Sequence, residues 1–172
     1  YNEVYDFLIK RKYSRFDLIP DNAGVELFSD YLFALYLLQT NTVQKIVLHL
    51  KPYPMFVSDA TKCDFDILKA IINKEYPEIN TMLTQYEVEG RLEIQRREKE
   101  FFYEPYFKDC KFIEEIMKEG CELLIVKGDL NYRRLVGDLH WNWTQPIKPI
   151  IAPFVTCRCL CLRCIKSDVL LG

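Results

Sequence analysis

Leu123-Leu124-Ile125-Val126 runs directly into Lys127-Gly128-Asp129. Four apolar residues, two of them β-branched, then a glycine and an acid read as a short buried strand delivering a polar loop. The same arrangement occurs three more times. Phe16-Asp17-Leu18-Ile19-Pro20 leads into Asp21-Asn22-Ala23-Gly24, and Lys45-Ile46-Val47-Leu48-His49-Leu50 leads into Lys51-Pro52-Tyr53-Pro54. The stretch from Val155 to Leu162 leads into Arg163-Cys164-Ile165-Lys166. Helical spacing fills the intervals. After Val25, Phe28, Tyr31, Leu32, Leu35 and Leu38 recur along one face, with Phe33 and Leu37 on another, which predicts a helix buried on more than one side. Ser58 is placed to cap a second helix through Phe65, Leu68, Ile71 and Ile72. A third, Phe112 to Lys118, stops at Gly120. Strands alternating with helices predict βαβ units and a mostly parallel α/β sheet.

The stretch from Tyr76 to Tyr106 reads differently. Glu87, Glu89, Arg91, Glu93, Arg96, Arg97, Glu98, Lys99 and Glu100 mix both signs of charge, which predicts a solvated helix or insertion laced with surface ion pairs.

Composition sets the outer bounds. The chain has 172 residues, enough for one domain over residues 1–172 with a self-sufficient core. Apolar residues make up 49% and charged residues 28%, a globular balance that argues against disorder. A net charge of -2 provides no basic field for nucleic acid or an anionic membrane surface. No apolar run approaches the roughly 20 residues of a membrane helix, and no charged-then-apolar leader is read at the start. Seven cysteines in no regular framework favour a reducing compartment over a disulfide-stapled fold. The expectation is a soluble cytoplasmic protein, its oligomeric state left open. Tyr1 at the start, and Gly172 directly after an apolar run, suggest a piece of something longer.

In an open parallel sheet, ligands bind beyond the carboxyl ends of the strands, so the polar residues there matter most. The first strand delivers Asp21 and Asn22, with Gly24 and Glu26 opening the next helix. Asp59 follows the second, Asp129, Asn131 and Arg133 follow the third, and Arg163 and Lys166 follow the fourth. Asp21, Asn22 and Asp59 are hard oxygen donors of the kind a magnesium-type ion takes alongside its waters. Arg133, Arg163, Lys166 and nearby helix N-termini suit a phosphate. Together they suggest metal-assisted phosphoryl chemistry. Each residue also has a plain structural reading, since Asp and Asn after a strand commonly cap helices and form turns.

The other constellations point elsewhere. Cys157, Cys159 and Cys161, spaced by two, share one face of a strand, where neighbours roughly 6.5–7 Å apart do not readily share one zinc. They read as buried thiols lining a core face. His49 sits within a strand as a core residue with a satisfied ring, and His140 lies in a polar loop beside Trp141. There is no G-x-x-x-x-G-K-[ST] loop, no G-x-G-x-x-G turn and no G-x-S-x-G elbow.

Three blocks then carry a resemblance. Asp21-Asn22-Ala23-Gly24-Val25-Glu26-Leu27, Phe56-Val57-Ser58-Asp59 and Lys127-Gly128-Asp129-Leu130-Asn131-Tyr132-Arg133-Arg134-Leu135 resemble the signature of the damage-control phosphatases. The branch is the sugar-phosphate one, also described as acidic-residue (protein-glutamate) methyltransferase-like. Gly137-Asp138 and Trp141 continue the match, which runs from about Phe16 to the C-terminus. The resemblance implies a three-layer α/β/α fold with a Rossmann-like sheet. It also implies a divalent-metal-dependent phosphatase (manganese, magnesium, cobalt or nickel) acting on small sugar phosphates of the fructose 1-phosphate or fructose 6-phosphate type, in metabolite damage control. Asp21, Asn22 and Asp59 match the metal ligands, Asp21 being also the catalytic candidate. The substrate contacts fall on Glu26, on Asp129, Leu130, Asn131, Tyr132 and Arg133, and on Lys166, with Arg163 beside it. The attacking group is either water or the Asp21 carboxylate.

Two departures accompany the match. Cys164 stands where this branch carries the threonine of an Arg-Thr-x-Lys motif, exchanging a hydroxyl for a weaker thiol donor. Family members are also longer, with a helical region before the metal motif. Two alternatives stay open: S-adenosylmethionine-dependent carboxyl methylation of protein glutamates, and a catalytically degenerate module that only binds a metabolite. The first lacks a glycine-rich nucleotide turn after the first strand.

Overall fold

β-Branched and aliphatic side chains that cannot be left in water decide where the sheet lies. In the computed structural model, which describes residues 2–96, 106–166 and 168–170, strands Tyr13–Ile19 (β1) and Val43–Leu50 (β2) are buried almost throughout. Leu123–Lys127 (β4) has its first four residues buried. Leu92–Arg96 (β3) and Arg158–Leu162 (β5) are only half-buried, because they form the two edges. The order is β3-β2-β1-β4-β5 and every pairing is parallel. Direction of travel reverses between β1 and β4, so the crevice beyond their carboxyl ends is the topological switch point.

Side-chain alternation along β1 builds a layer on each face. Phe16 and Leu18 pack with helix Val25–Gln39 (α2) through Leu27, Tyr31, Leu35 and Leu38, together with Phe65 of Lys62–Glu75 (α3) and Leu83 of Pro77–Val88 (α4). Ile19, Leu124 and Val126 face the other layer. There they meet Phe112 and Ile116 of Lys111–Lys118 (α5), Leu135 and Val136 of Asp129–Val136 (α6) and Ile150 of Ile147–Ile151 (α7). Each such fully buried aliphatic side chain contributes about 1.5–3 kcal/mol of transfer free energy, so both layers are strongly held. A short helix, Asn2–Leu8 (α1), precedes β1 and lays Phe7 and Leu8 against the first layer. The result is the expected three-layer α/β/α arrangement. Among the described residues no helix is long and apolar enough to cross a membrane.

Two expectations need correction. The second helix does not start at Ser58. Its cap is Thr61, which forms a reciprocal capping box with Asp64, and Ser58 is instead committed to Asn22 and Ala23. The charged stretch, over its described residues 76–96, is not one solvated helix. It is there α4 followed by β3, which pairs Ile46↔Leu92 and Leu48↔Ile94 at the sheet edge. Glu87 there is half-buried, accepting from Tyr31 Oη at 2.5 Å and pairing with Lys69 at 2.5 Å, so its charge ties α2, α3 and α4 together. Arg97, Glu98, Lys99 and Glu100 lie outside the described residues.

The expectation for His49 holds. Fully buried, its Nε2 lies 2.7 Å from Asp17 Oδ1. The thiols are half-buried along β5, with Cys159 and Cys161 sulfurs 3.9 Å apart and Cys157 3.7 Å from buried Cys121. That is closer than strand spacing alone suggests, because the side chains lean together. Among the described residues no group of three or more His, Cys, Asp or Glu side chains is gathered to hold a metal.

Candidate active site

The chain leaves β1 through Pro20, and Asn131 pins that exit. Its Nδ2 donates to the Pro20 carbonyl at 3.1 Å and to the Lys127 carbonyl at 2.8 Å, clasping the ends of β1 and β4 at the mouth of the crevice. Asp21 follows at once. Directly opposite is Gly128, with φ +89°: a Cβ there would lie 2.0 Å from Asp21 Cγ and 2.3 Å from both carboxyl oxygens. Only glycine lets β4 turn into α6 while the Asp21 carboxylate occupies that space.

The loop after β2 is zipped onto the loop after β1. Ala60 N donates to the Asp21 carbonyl, Ala23 N to the Ser58 carbonyl, and Asn22 and Asp59 form a β-bridge. Asp59, 3% exposed, has Oδ2 held by the Met55 and Phe56 amides at 2.9 and 3.0 Å, and Oδ1 held by Lys51 Nζ at 2.7 Å. Asn22 accepts from Ser58 Oγ and donates to Asp21 Oδ2 and Glu26 Oε2. Two carboxylates and an amide thereby border one cleft at the end of the sheet, residue types of the hard-oxygen kind that a magnesium-type ion takes alongside several waters.

Cations approach from the far side. Asp129, in the first turn of α6, accepts from Arg163 Nη2 at 2.7 Å and from the Lys166 amide at 3.3 Å, which folds the segment after β5 over the crevice. The Arg163 guanidinium also lies 4.3 Å over the Tyr132 ring. Arg133 is held in a two-pronged pair with Asp138. The Lys166 side chain borders both lobes of the cleft. One lobe, of about 400 Å³, runs past Glu26, Gly128, Leu162, Arg163 and Cys164. The other, of about 260 Å³, runs past Phe56, Ser58, Asp59, Leu130 and Arg133. Asp21, Asn22 and Asp129 lie between them. A larger groove of about 480 Å³ between α2 and α3 is apolar, and its one carboxylate, Asp64, is spent on the Thr61 cap.

The electrostatics follow from this packing. Burial pushes the Asp21 carboxyl above its usual range. Lys51 draws it back, Glu26 and Asp59 push it further, and Lys166 opposes them. Burial acts on Glu26 in the same direction, but its bonds to Lys127 and Asn22 win and hold it below the usual range.

Of the residues singled out from sequence, Asp21, Asn22, Glu26, Asp59, Asp129, Leu130, Arg133, Arg163 and Lys166 line this cleft. Asn131 and Tyr132 do not. Both are buried beneath it, Asn131 as the clasp described and Tyr132 donating its hydroxyl to the Leu170 carbonyl at 3.2 Å. The periodicity of α6 explains this, since positions 129, 130 and 133 share the cleft side while 131 and 132 turn inward. Sequence reading missed Lys51, whose signal was a lysine placed directly after a buried apolar run and before Pro52.

Comparison with known proteins places the chain in a family. A family model described as the damage-control phosphatase ARMT1-like domain matches residues 1–172. Damage-control phosphatase ARMT1 of Xenopus tropicalis is 31% identical over 178 residues, covering 95% of this chain and 38% of that protein. Its Danio rerio counterpart is 31% identical over 170 residues, covering 94% and 37%. The chain thus spans well under half the length of these relatives. Among solved structures, a universal stress protein in complex with cAMP aligns with a TM-score of 0.38 and 13% identity, covering 88% of this chain and 98% of that one. On the family match over its whole length, the chain belongs to the damage-control phosphatase ARMT1-like family.

Proposed function

We propose that this cleft hydrolyses phosphate monoesters of small sugars, of the fructose 1-phosphate or fructose 6-phosphate type, with a divalent metal held by Asp21, Asn22 and Asp59. The observation that carries the reading is the meeting of those three oxygen donors with Arg133 and Lys166 across one two-lobed crevice at the switch point of the sheet. A divalent cation bound there supplies positive charge that polarises a phosphoryl oxygen and steadies charge developing in the transition state.

The protein's own groups do the rest. Asp59 enters with one oxygen already fixed by two backbone amides, so its orientation is set before any ligand arrives. Asn22 is turned by Glu26 and Ser58. The Lys166 ammonium and the Arg133 guanidinium receive the phosphate, and the N-terminus of α6 beside Gly128 adds oriented N–H groups. The larger lobe, with Glu26, Arg163 and Cys164, offers the donors and acceptors a polyol needs. Cys164, in place of a threonine, leaves that wall with a poorer hydrogen-bond partner, which predicts a raised KM for sugar phosphates.

The test is phosphate release from a panel of sugar phosphates, with and without manganese, magnesium, cobalt or nickel. Metal-dependent release that disappears in Asp59→Ala supports the reading. Release that ignores both metal and the substitution defeats it.

A further inference from the structure

Lys51 directly follows β2 and is 1% exposed. Its ammonium donates to Asp59 Oδ1 at 2.7 Å and to the Asp21 main-chain carbonyl at 3.1 Å, and stands 3.7 Å from Asp21 Oδ1. A cation sealed from water is thus fixed against both carboxylates of the candidate metal nest, and the reaction as described gives it no part.

Its charge has a definite consequence. Asp21 and Asp59 bring two negative charges and Lys51 one positive, so the empty nest is formally minus one and a divalent cation takes it to plus one. Without Lys51 the empty nest is minus two and the loaded nest neutral. The neighbouring carboxylates are paired elsewhere. Glu26 and Asp30 share Lys127, together one net negative charge, and Asp129 has Arg163, so these contributions remain the same whatever stands at position 51. A phosphate monoester carries between one and two negative charges near neutral pH. In a partly buried site such differences of one charge are poorly screened.

We propose that Lys51 is a positioning residue that sets the balance between metal and phosphate: it loosens the nest's hold on the divalent cation and gives the loaded nest the net positive charge that retains phosphate. The proposal rests on the metal-and-phosphate reading of this cleft. A lysine acting only as a structural prop would, when removed, weaken both ligands together. One acting through its charge moves them in opposite directions.

The experiment uses the 172-residue chain as wild type, Lys51→Met, Lys51→Gln and Lys51→Arg, each checked by circular dichroism. Manganese binding is measured by calorimetry, and inorganic phosphate binding is then measured on the manganese-saturated proteins. Should the methionine variant fail to fold, the glutamine variant reads the charge alone, because its amide can still donate to the Asp21 carbonyl. The expected result is manganese affinity equal to or tighter than wild type in the Met and Gln variants, phosphate affinity lowered at least about tenfold in both, and near-wild-type values for Lys51→Arg. Loss of both ligands together, or unchanged phosphate affinity, overturns the proposal while the parent reading stands on the wild-type binding. A wild type that takes up neither ligand removes the parent reading and this proposal with it.

Discussion

Two buried groups of carboxylate and cation lie along the same segment of chain, and they are finished differently. At Asp17, in the middle of β1, both oxygens are occupied: Arg15 donates to each at 2.8 Å and His49 lies 2.7 Å from one, with nothing of the carboxylate exposed. At Asp21, four residues on, Asn22 donates to Oδ2 at 3.0 Å, Lys51 stands 3.7 Å from Oδ1, and the group borders a cleft. Burial raises both carboxyls. At Asp17 the bonds to His49 and Arg15 outweigh it and hold the group below the usual range, whereas at Asp21 the result stays above. Saturated geometry inside the sheet marks a structural cluster. Unspent lone pairs beside a cleft at the switch point are what the proposed ligand site requires.

Substitutions sharpen this contrast. Asp17→Ala removes the buried carboxylate that Arg15 and His49 share, leaving Arg15 its pair with Glu119, and costs about 3–5 kcal/mol of stability by urea denaturation, with metal binding by the remaining folded protein unchanged. Loss of metal binding at wild-type stability would erase the distinction between the clusters. The same cluster sets a response to acid. Because the folded pKa of Asp17 is depressed, its contribution is complete above the ordinary carboxylate range of about pH 4 and is lost as pH falls through the lower folded value. Asp17→Asn therefore flattens the fall in stability at the acid end of a pH series.

Gly128→Ala acts on the second cluster alone. Its Cβ meets the Asp21 carboxyl in a backbone region that L-residues avoid, which costs about 1–3 kcal/mol in thermal unfolding and lowers activity further by displacing Asp21. The smallest effect belongs to the partly exposed Arg133–Asp138 pair. Asp138→Asn keeps a residue that tolerates the positive φ of 52° and shifts stability by less than about 1 kcal/mol.

The sequence made four of the five strands legible, β5 at one edge among them, and left the other edge, β3, obscure for a physical reason. β1, β2 and β4 are buried on both faces over most of their length, so each carries a dense apolar run, interrupted by Arg15 and Asp17 in β1 and by His49 in β2. Leu92-Glu93-Ile94-Gln95-Arg96 forms an edge, so polar side chains interrupt it and charge hid the strand. Most of the cleft was readable because strand ends are where a parallel sheet presents its ligands. Asn131 and Tyr132 sit in the same contiguous block as Asp129 and Arg133, and only the turn of the helix separates clasp from cleft. Lys51 and Gly128 gained their meaning from three-dimensional contacts, one with both carboxylates and one with the space Asp21 fills, which no spacing along the chain displays.

The most direct test of the account sets the two clusters side by side: manganese-dependent phosphate release from fructose 1-phosphate by wild type, Asp21→Ala and Asp17→Asn. The account predicts a fall of about 10²–10³-fold for Asp21→Ala, with a folded protein, and near-wild-type turnover for whatever fraction of Asp17→Asn is folded. Undiminished release by Asp21→Ala would contradict it.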